Sequence, residues 1–203
     1  MCIRDRYHVP LIFDEIVTGF RFAYGGAQEY YGVTPDLCTL GKAVAGGFPL
    51  TVVTGKAEIM DYFAPGSHGS DYVMQEGTLN GNPIASLAGL ATLEVLRTDG
   101  IYDHLFATGT RLMDGLRDLL FQAEIPAQII GEPPMFDVVF TDHTIENYRD
   151  TLDRDKEKLI RFTNLLRDRG IFKNNAKYYV STSHGEKEVE QTLEAWRSAL
   201  QEL

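Results

Sequence analysis

Val9–Phe13 is a wholly apolar run that stops abruptly at Asp14-Glu15. Short apolar runs without alternation suit strands covered on both faces, as in a parallel sheet. The pattern recurs. Leu37–Leu40 predicts a second short strand, closed by Gly41-Lys42. Leu50–Thr54, rich in β-branched residues, predicts a third. A Gly-rich, aromatic loop through Gly19, Gly25 and Gly26 follows the first run, then a short helical turn at Gln28–Tyr31 and turn chemistry at Thr34-Pro35-Asp36. Only Met1–Arg6 and Tyr7-His8 stand before the first run. The hexapeptide reads either as a leader foreign to the fold or as an ordinary disordered start. Either way the chain is expected to begin in mid-fold.

Further along, helices take over. Lys56–Phe63 predicts a short helix and Ala64–Glu76 a polar loop. Pro83–Arg97 is an Ala- and Leu-rich helix with Pro83 in its first turn and Asn82 as its cap. Thr98-Asp99-Gly100 breaks it. Ile101–Glu124 is a long amphipathic helix in which Leu105, Leu112, Leu116, Leu119 and Leu120 share a face. Strands at Gln128–Ile130, Met135–Phe140 and Tyr178–Val180 alternate with helices at Leu152–Arg169 and Glu186–Glu202. The expected division is therefore 1–99, a strand-led α/β part, and 100–203, a smaller α+β domain.

Bulk properties narrow the partners. The net charge is −10 with no block of one sign, which argues against nucleic acid and anionic membrane. No apolar run approaches the ~18 residues a membrane span needs. The two cysteines, Cys2 and Cys38, have no metal or redox spacing. No signal-peptide pattern opens the chain, and a cytoplasmic location is expected.

The chemistry-bearing residues stand in order. Asp14 ends the first strand, Lys42 ends the second, and Gly77-Thr78 precedes the helix that starts at Pro83. Ligands of parallel α/β sheets sit beyond the carboxyl ends of the strands. Pyridoxal phosphate fits this set. It needs a primary amine for its aldehyde and a carboxylate for its ring nitrogen. Its phosphate needs backbone N–H groups, a hydroxyl or a helix N-terminus. Each residue alone is bland: a strand-end Asp commonly caps a turn, and a lone Lys is usually a solvated charge. The three in sequence carry the reading.

Leu11–Arg21, with Phe13-Asp14-Glu15-Ile16-Val17-Thr18-Gly19, resembles the Asp-Glu signature of class III pyridoxal-phosphate aminotransferases. Thr34–Lys42 followed by Gly46-Gly47 resembles that family's lysine segment, and Gly77–Pro83 its phosphate-contact turn. Gly19-Phe20-Arg21, Gly25–Gln28 and Tyr31–Asp36 are similar to the glutamate-1-semialdehyde aminomutase branch. The resemblance covers about 8–203. It implies the C-terminal part of a type I (aspartate-aminotransferase-like) PLP-transferase large domain, then a small α+β domain. It implies that Lys42 forms the Schiff base and acts as base and acid in the proton shift. Asp14 would pair with the ring nitrogen, and Ile16 would pack on the ring. Gly77 and Thr78 would contact phosphate, Thr78 that of a neighbouring subunit, in a homodimer. The substrates implied are small amino donors and acceptors. Family members are longer, and the segment before the Asp strand supplies a phosphate loop and the aromatic stacked on the ring. A chain of this extent is expected to be inactive alone.

Two departures keep another class III transaminase of amino acids or ω-amines open. Ala176 stands where the aminomutase branch carries an acid, and Phe48–Val53 differs from its usual run after the lysine. Glu15 reads as a hydrogen-bond anchor for its loop, Lys56 as surface, and His184 as a loop or capping residue. Two rivals come from other classes. Leu11–Glu15 also matches a Walker B strand of an ATPase, but that reading leaves Lys42 and Gly77-Thr78 without a role. A non-catalytic, dimerising fragment is the other.

Overall fold

The structure is a computed structural model and describes residues 3–203. The chain divides into two compact units, Met1–Asp99 and Gly100–Leu203.

The first unit is built on a three-stranded sheet of order β1-β2-β3. β1 (Ile12–Glu15) and β2 (Leu37–Leu40) are parallel, with Asp14 opposite Thr39. β3 (Val52–Gly55) is antiparallel to β2, with Val52 opposite Leu40. The β1–β2 crossover contains a short helix, α2 (Gly26–Tyr30); α1 (Ile3–Arg6) precedes the sheet. β1 was expected to be covered on both faces, yet Ile12 is 59% exposed. β1 is an edge strand, with no neighbour on its outer side among the described residues. The apolar code of Val9–Phe13 is thus answered only in part. The described part of the opening hexapeptide, Ile3–Arg6, is helical rather than a disordered start.

Lys56–Phe63 splits into α3 (Ala57–Met60) and a 3-10 turn, Asp61–Phe63. α4 (Pro83–Leu96) starts as its sequence dictates: Asn82 Oδ1 accepts from the amides of Ile84 at 3.0 Å and Ala85 at 3.1 Å. Pro83 needs no such partner. α4 buries only Ala85 and Gly89; Ile84, Leu87 and Leu90 are 62%, 65% and 59% exposed.

The second unit holds an antiparallel sheet of order β4-β5-β6: Gln128–Glu132, Met135–Val139 and Tyr178–Tyr179. Every residue of the central strand β5 is buried. α5 (Ile101–Gln122), α6 (Lys156–Asp168) and α7 (Glu186–Leu200) complete the unit. The five leucines expected to share a face of α5 are all buried. They join Phe136, Phe162 and Trp196 in one apolar cluster. Trp196 Nε1 donates to the Tyr178 hydroxyl at 3.1 Å, and the Tyr178 ring stacks on Phe136. α6 begins four residues later than expected from Leu152, because Asp155 caps it by accepting from Lys158 N. The stretch before it, Tyr148–Asp153, is a 3-10 turn closed by a capping box between Asn147 and Asp150. No helix among the described residues is long and apolar enough to cross a membrane.

Candidate functional site

Parallel pairing sends β1 and β2 out of the sheet on the same side. Asp14 lies on β1, and Lys42 follows β2 after a single glycine. Thr39 donates its hydroxyl to Asp14 Oδ1 at 3.3 Å, and Ile16 N donates to the same oxygen at 3.0 Å. Both bonds engage one oxygen of the carboxylate. The group remains exposed, so it keeps acceptor capacity for a ligand.

Gly41 joins β2 to Lys42. A β-carbon there would meet Ile16 Cδ1 at 3.0 Å. Ile16 therefore lies against the backbone just ahead of Lys42. Lys42 itself has φ +46°, in the left-handed region, and opens a 3-10 turn, Lys42–Ala45. A non-glycine residue in that region is strained and is held there by its surroundings. Its side chain is exposed. The turn ends at Gly46, φ +54°, which takes over the left-handed backbone at no steric cost.

Glu15 behaves differently from its neighbour. Successive strand residues face opposite ways, and Glu15 is 1% exposed. Its carboxylate accepts from the amides of Ala27 at 2.7 Å and Gln28 at 3.0 Å and from the Thr18 hydroxyl at 3.1 Å. It ties the loop after β1 to the start of α2. Gln28 Nε2 adds a fourth bond at 3.3 Å, which fills the acceptor sites of the carboxylate and leaves none to position a water, against the ATPase alternative. Cys38, buried beside it, has its thiol pKa raised by burial and then by the Glu15 charge.

Gly77 and Thr78 are not drawn into this cluster. They sit in an open turn with Gln75, Glu76 and Asn80, where Asn80 N donates to Gly77 O at 3.0 Å. Lys56 is a surface cation paired with Asp36 at 2.6 Å. His184 accepts from Ser181 N through Nδ1 at 2.9 Å. Among the described residues no group of His, Cys, Asp and Glu has the makings of a metal site.

A buried charge cluster in the second unit was missed from sequence. Asp137, in the centre of β5, lies 3.6 Å from Lys173 Nζ and 3.9 Å from Arg154. The signal was an aspartate inside the apolar run Met135–Phe140. Burial raises the Asp137 pKa, with Lys173 opposing; burial lowers that of Lys173, with Asp137 opposing.

An aspartate and a lysine thus lie at the carboxyl ends of two parallel strands of an α/β unit. The chain belongs to the class III aminotransferases: residues 2–182 match that family's model. It is 41% identical over 197 residues to a glutamate-1-semialdehyde 2,1-aminomutase of Methanococcoides burtonii and 43% over 198 to that of Thermus thermophilus. Each alignment covers 96% of this chain but 46% of the relative; the chain spans about half the length of the curated relatives it matches. An ω-transaminase of Sphaerobacter thermophilus has the same fold over 98% of this chain and 45% of its own, with a TM-score of 0.89 and 36% identity. A glutamate-1-semialdehyde aminomutase of Pseudomonas aeruginosa in complex with PMP matches with a TM-score of 0.84 and 25% identity, over 98% of this chain and 46% of its own.

Proposed function

We propose that the chain carries the lysine side of a pyridoxal 5'-phosphate site and serves aminotransferase or aminomutase chemistry of the glutamate-1-semialdehyde type. The observation that carries this is the strained Lys42 just after β2, preceded by a glycine that lies against Ile16, with Asp14 on the neighbouring parallel strand. Strain at an exposed, otherwise ordinary lysine marks a position fixed for use. The donor set fits the cofactor: an amine for the aldehyde, a carboxylate for the ring nitrogen, and an apolar side chain against Gly41.

When bound, pyridoxal phosphate supplies an electron sink. Lys42 would hold the cofactor through Nζ and move a proton between substrate atoms. Asp14 would pair with its ring nitrogen through its negative charge. Ile16 would pack against the ring, and Gly77 and Thr78 would contact phosphate, Thr78 across a homodimer. The first unit is then the C-terminal part of the cofactor-binding domain, the second is the small domain, and the setting is the cytoplasm. Substrates are small amino donors and acceptors. A class III transaminase of amino acids or ω-amines is the second reading; Ala176 favours it, since it leaves no acid at that place.

The chain spans about half the length of the relatives it matches, and by itself it is expected to lack activity. Adding pyridoxal phosphate to the purified chain should give no absorbance band above about 400 nm. In a form extended by the family's N-terminal half the band should appear, and Lys42→Ala should abolish it. A band that survives Lys42→Ala would overturn the assignment.

A further inference from the structure

The second unit contains a cavity of about 240 Å³ that the proposed function does not use. Apolar residues line it: Leu112 of α5, Ile171, Val180, and Val189 of α7. An apolar cavity of about 150 Å³ is enough to hold benzene, so this one has room for a phenyl ring and a short chain.

Polar residues line the cavity too, among them Asn174, Lys177 and His184. His184 Nδ1 already accepts the Ser181 amide, which places the ring proton on Nε2 and makes that atom a donor. Asn174 Oδ1 already accepts the Ala176 amide at 2.9 Å, which leaves the N–H donors of its side chain. Lys177 brings a cation, and no ion pair joins it to an acid among the described residues. Glu188 also lines the cavity, with one oxygen accepting the Gly185 amide at 3.0 Å. The lining thus joins a cation and two further donors to one acid and several apolar side chains.

The wall that carries these donors is held in place from below. Lys173 is 4% exposed and donates Nζ to the backbone carbonyls of Asn174, at 3.0 Å, and Ala176. It also pairs with Asp137. A buried ammonium that spans its own loop fixes the backbone on which Asn174 and Lys177 stand. Phe172, 93% exposed, also lines the cavity and gives an incoming apolar body an aromatic edge.

We infer that this cavity binds a small carboxylate with an apolar body, the carboxylate meeting Lys177, His184 Nε2 and Asn174 and the body lying against Leu112, Ile171, Val180 and Val189. The site lies within the second unit and does not depend on the cofactor reading. The test uses the 203-residue chain without pyridoxal phosphate. The probes are 3-phenylpropionate and its neutral counterpart 3-phenylpropan-1-ol, followed by saturation-transfer NMR and titration. The carboxylate should bind more tightly than the alcohol. Lys177→Met should weaken the carboxylate about three- to tenfold and leave the alcohol unchanged, the scale of one charge-assisted hydrogen bond. Thr192→Phe, or the milder Thr192→Leu, fills the cavity from α7 and should weaken both probes, with unchanged Trp196 fluorescence showing that the unit is folded. Absence of saturation transfer, equal affinity of the two probes, or binding that survives both Thr192 variants in folded protein would overturn the proposal.

Discussion

Asp14 and Glu15 are neighbours of identical charge with opposite fates, and the reason is the strand they share. A period of two sends one side chain to the ligand side and the other into the unit. The buried Glu15 accepts two backbone amides and a hydroxyl. Glu15→Ala would strand those donors, at about 1–3 kcal/mol each where they stay buried. Faster hydrogen exchange at the Ala27 and Gln28 amides is the expected sign, and unchanged exchange there would count against the anchor role. Asp137 and Lys173 make the matching case in the second unit. A raised carboxyl pKa means that the native state holds its proton longer than the unfolded chain. Ionising Asp137 therefore costs stability as pH rises from its ordinary 3.8 through the folded value. A lowered Lys173 pKa means that the native state binds fewer protons up to the ordinary 10.5, so stability grows with pH across that window. Lys173→Met alone should cost about 3–5 kcal/mol by leaving a buried charge, whereas Asp137→Leu with Lys173→Met should recover most of it. Urea melts followed by Trp196 fluorescence, at several pH values, check both statements. The chemistry-bearing residues were readable because each ends an apolar run. The buried pair was not, because Lys173 looks like any surface lysine until the loop folds over it.

Elements whose signals are local were placed well from sequence. Asn82-Pro83 announces the start of α4 by capping chemistry alone, and Leu37–Leu40 is a strand with the bounds expected. Asn82→Ala should weaken the first turn of α4 by about 1 kcal/mol, seen as faster exchange at Ile84 and Ala85; equal exchange would show that the cap carries no load. Less local features were harder to see. The 3-10 turn at Lys42–Ala45 has no propensity signature, since its backbone is set by Gly41 against Ile16. The role of Gly109 is also tertiary. A β-carbon at that position of α5 would lie 1.9 Å from the carbonyl oxygen of Pro133, on the turn between β4 and β5. Gly109→Ala must push α5 off that turn. Helix propensity favours Ala by about 1 kcal/mol, but overpacking against backbone should outweigh it, by about 1–3 kcal/mol net. A Trp196 unfolding midpoint that falls would fit; a midpoint that rises would show that the turn yields freely.

At the scale of the whole molecule the two units differ in how well each meets its own sequence. The large apolar cluster, from Leu105 to Leu200, lies wholly in the second unit. The buried apolar residues of the first are fewer and mostly small: Phe22, Ala27, Cys38, Val44, Ala45 and Ala85. Its larger apolar side chains face outward, Ile12 on β1 and Ile84, Leu87 and Leu90 on α4. Burial contributes ~25 cal/mol for each Å² removed from water, so a unit that leaves its best apolar residues exposed is the weaker one. Sequence reading located the strands and helices of both units but could not see this difference, because an apolar residue reads the same whether or not its partner surface is present. In native-state hydrogen exchange with rising urea, amides of β1, β2 and α4 should open at lower denaturant than those of β5 and α5. Dye binding to exposed apolar surface should appear under native conditions and fall in Leu87→Glu. If instead the amides of β1 outlast those of β5, the first unit is stabilised by something other than apolar burial, and the open face of α4 is not its weakness.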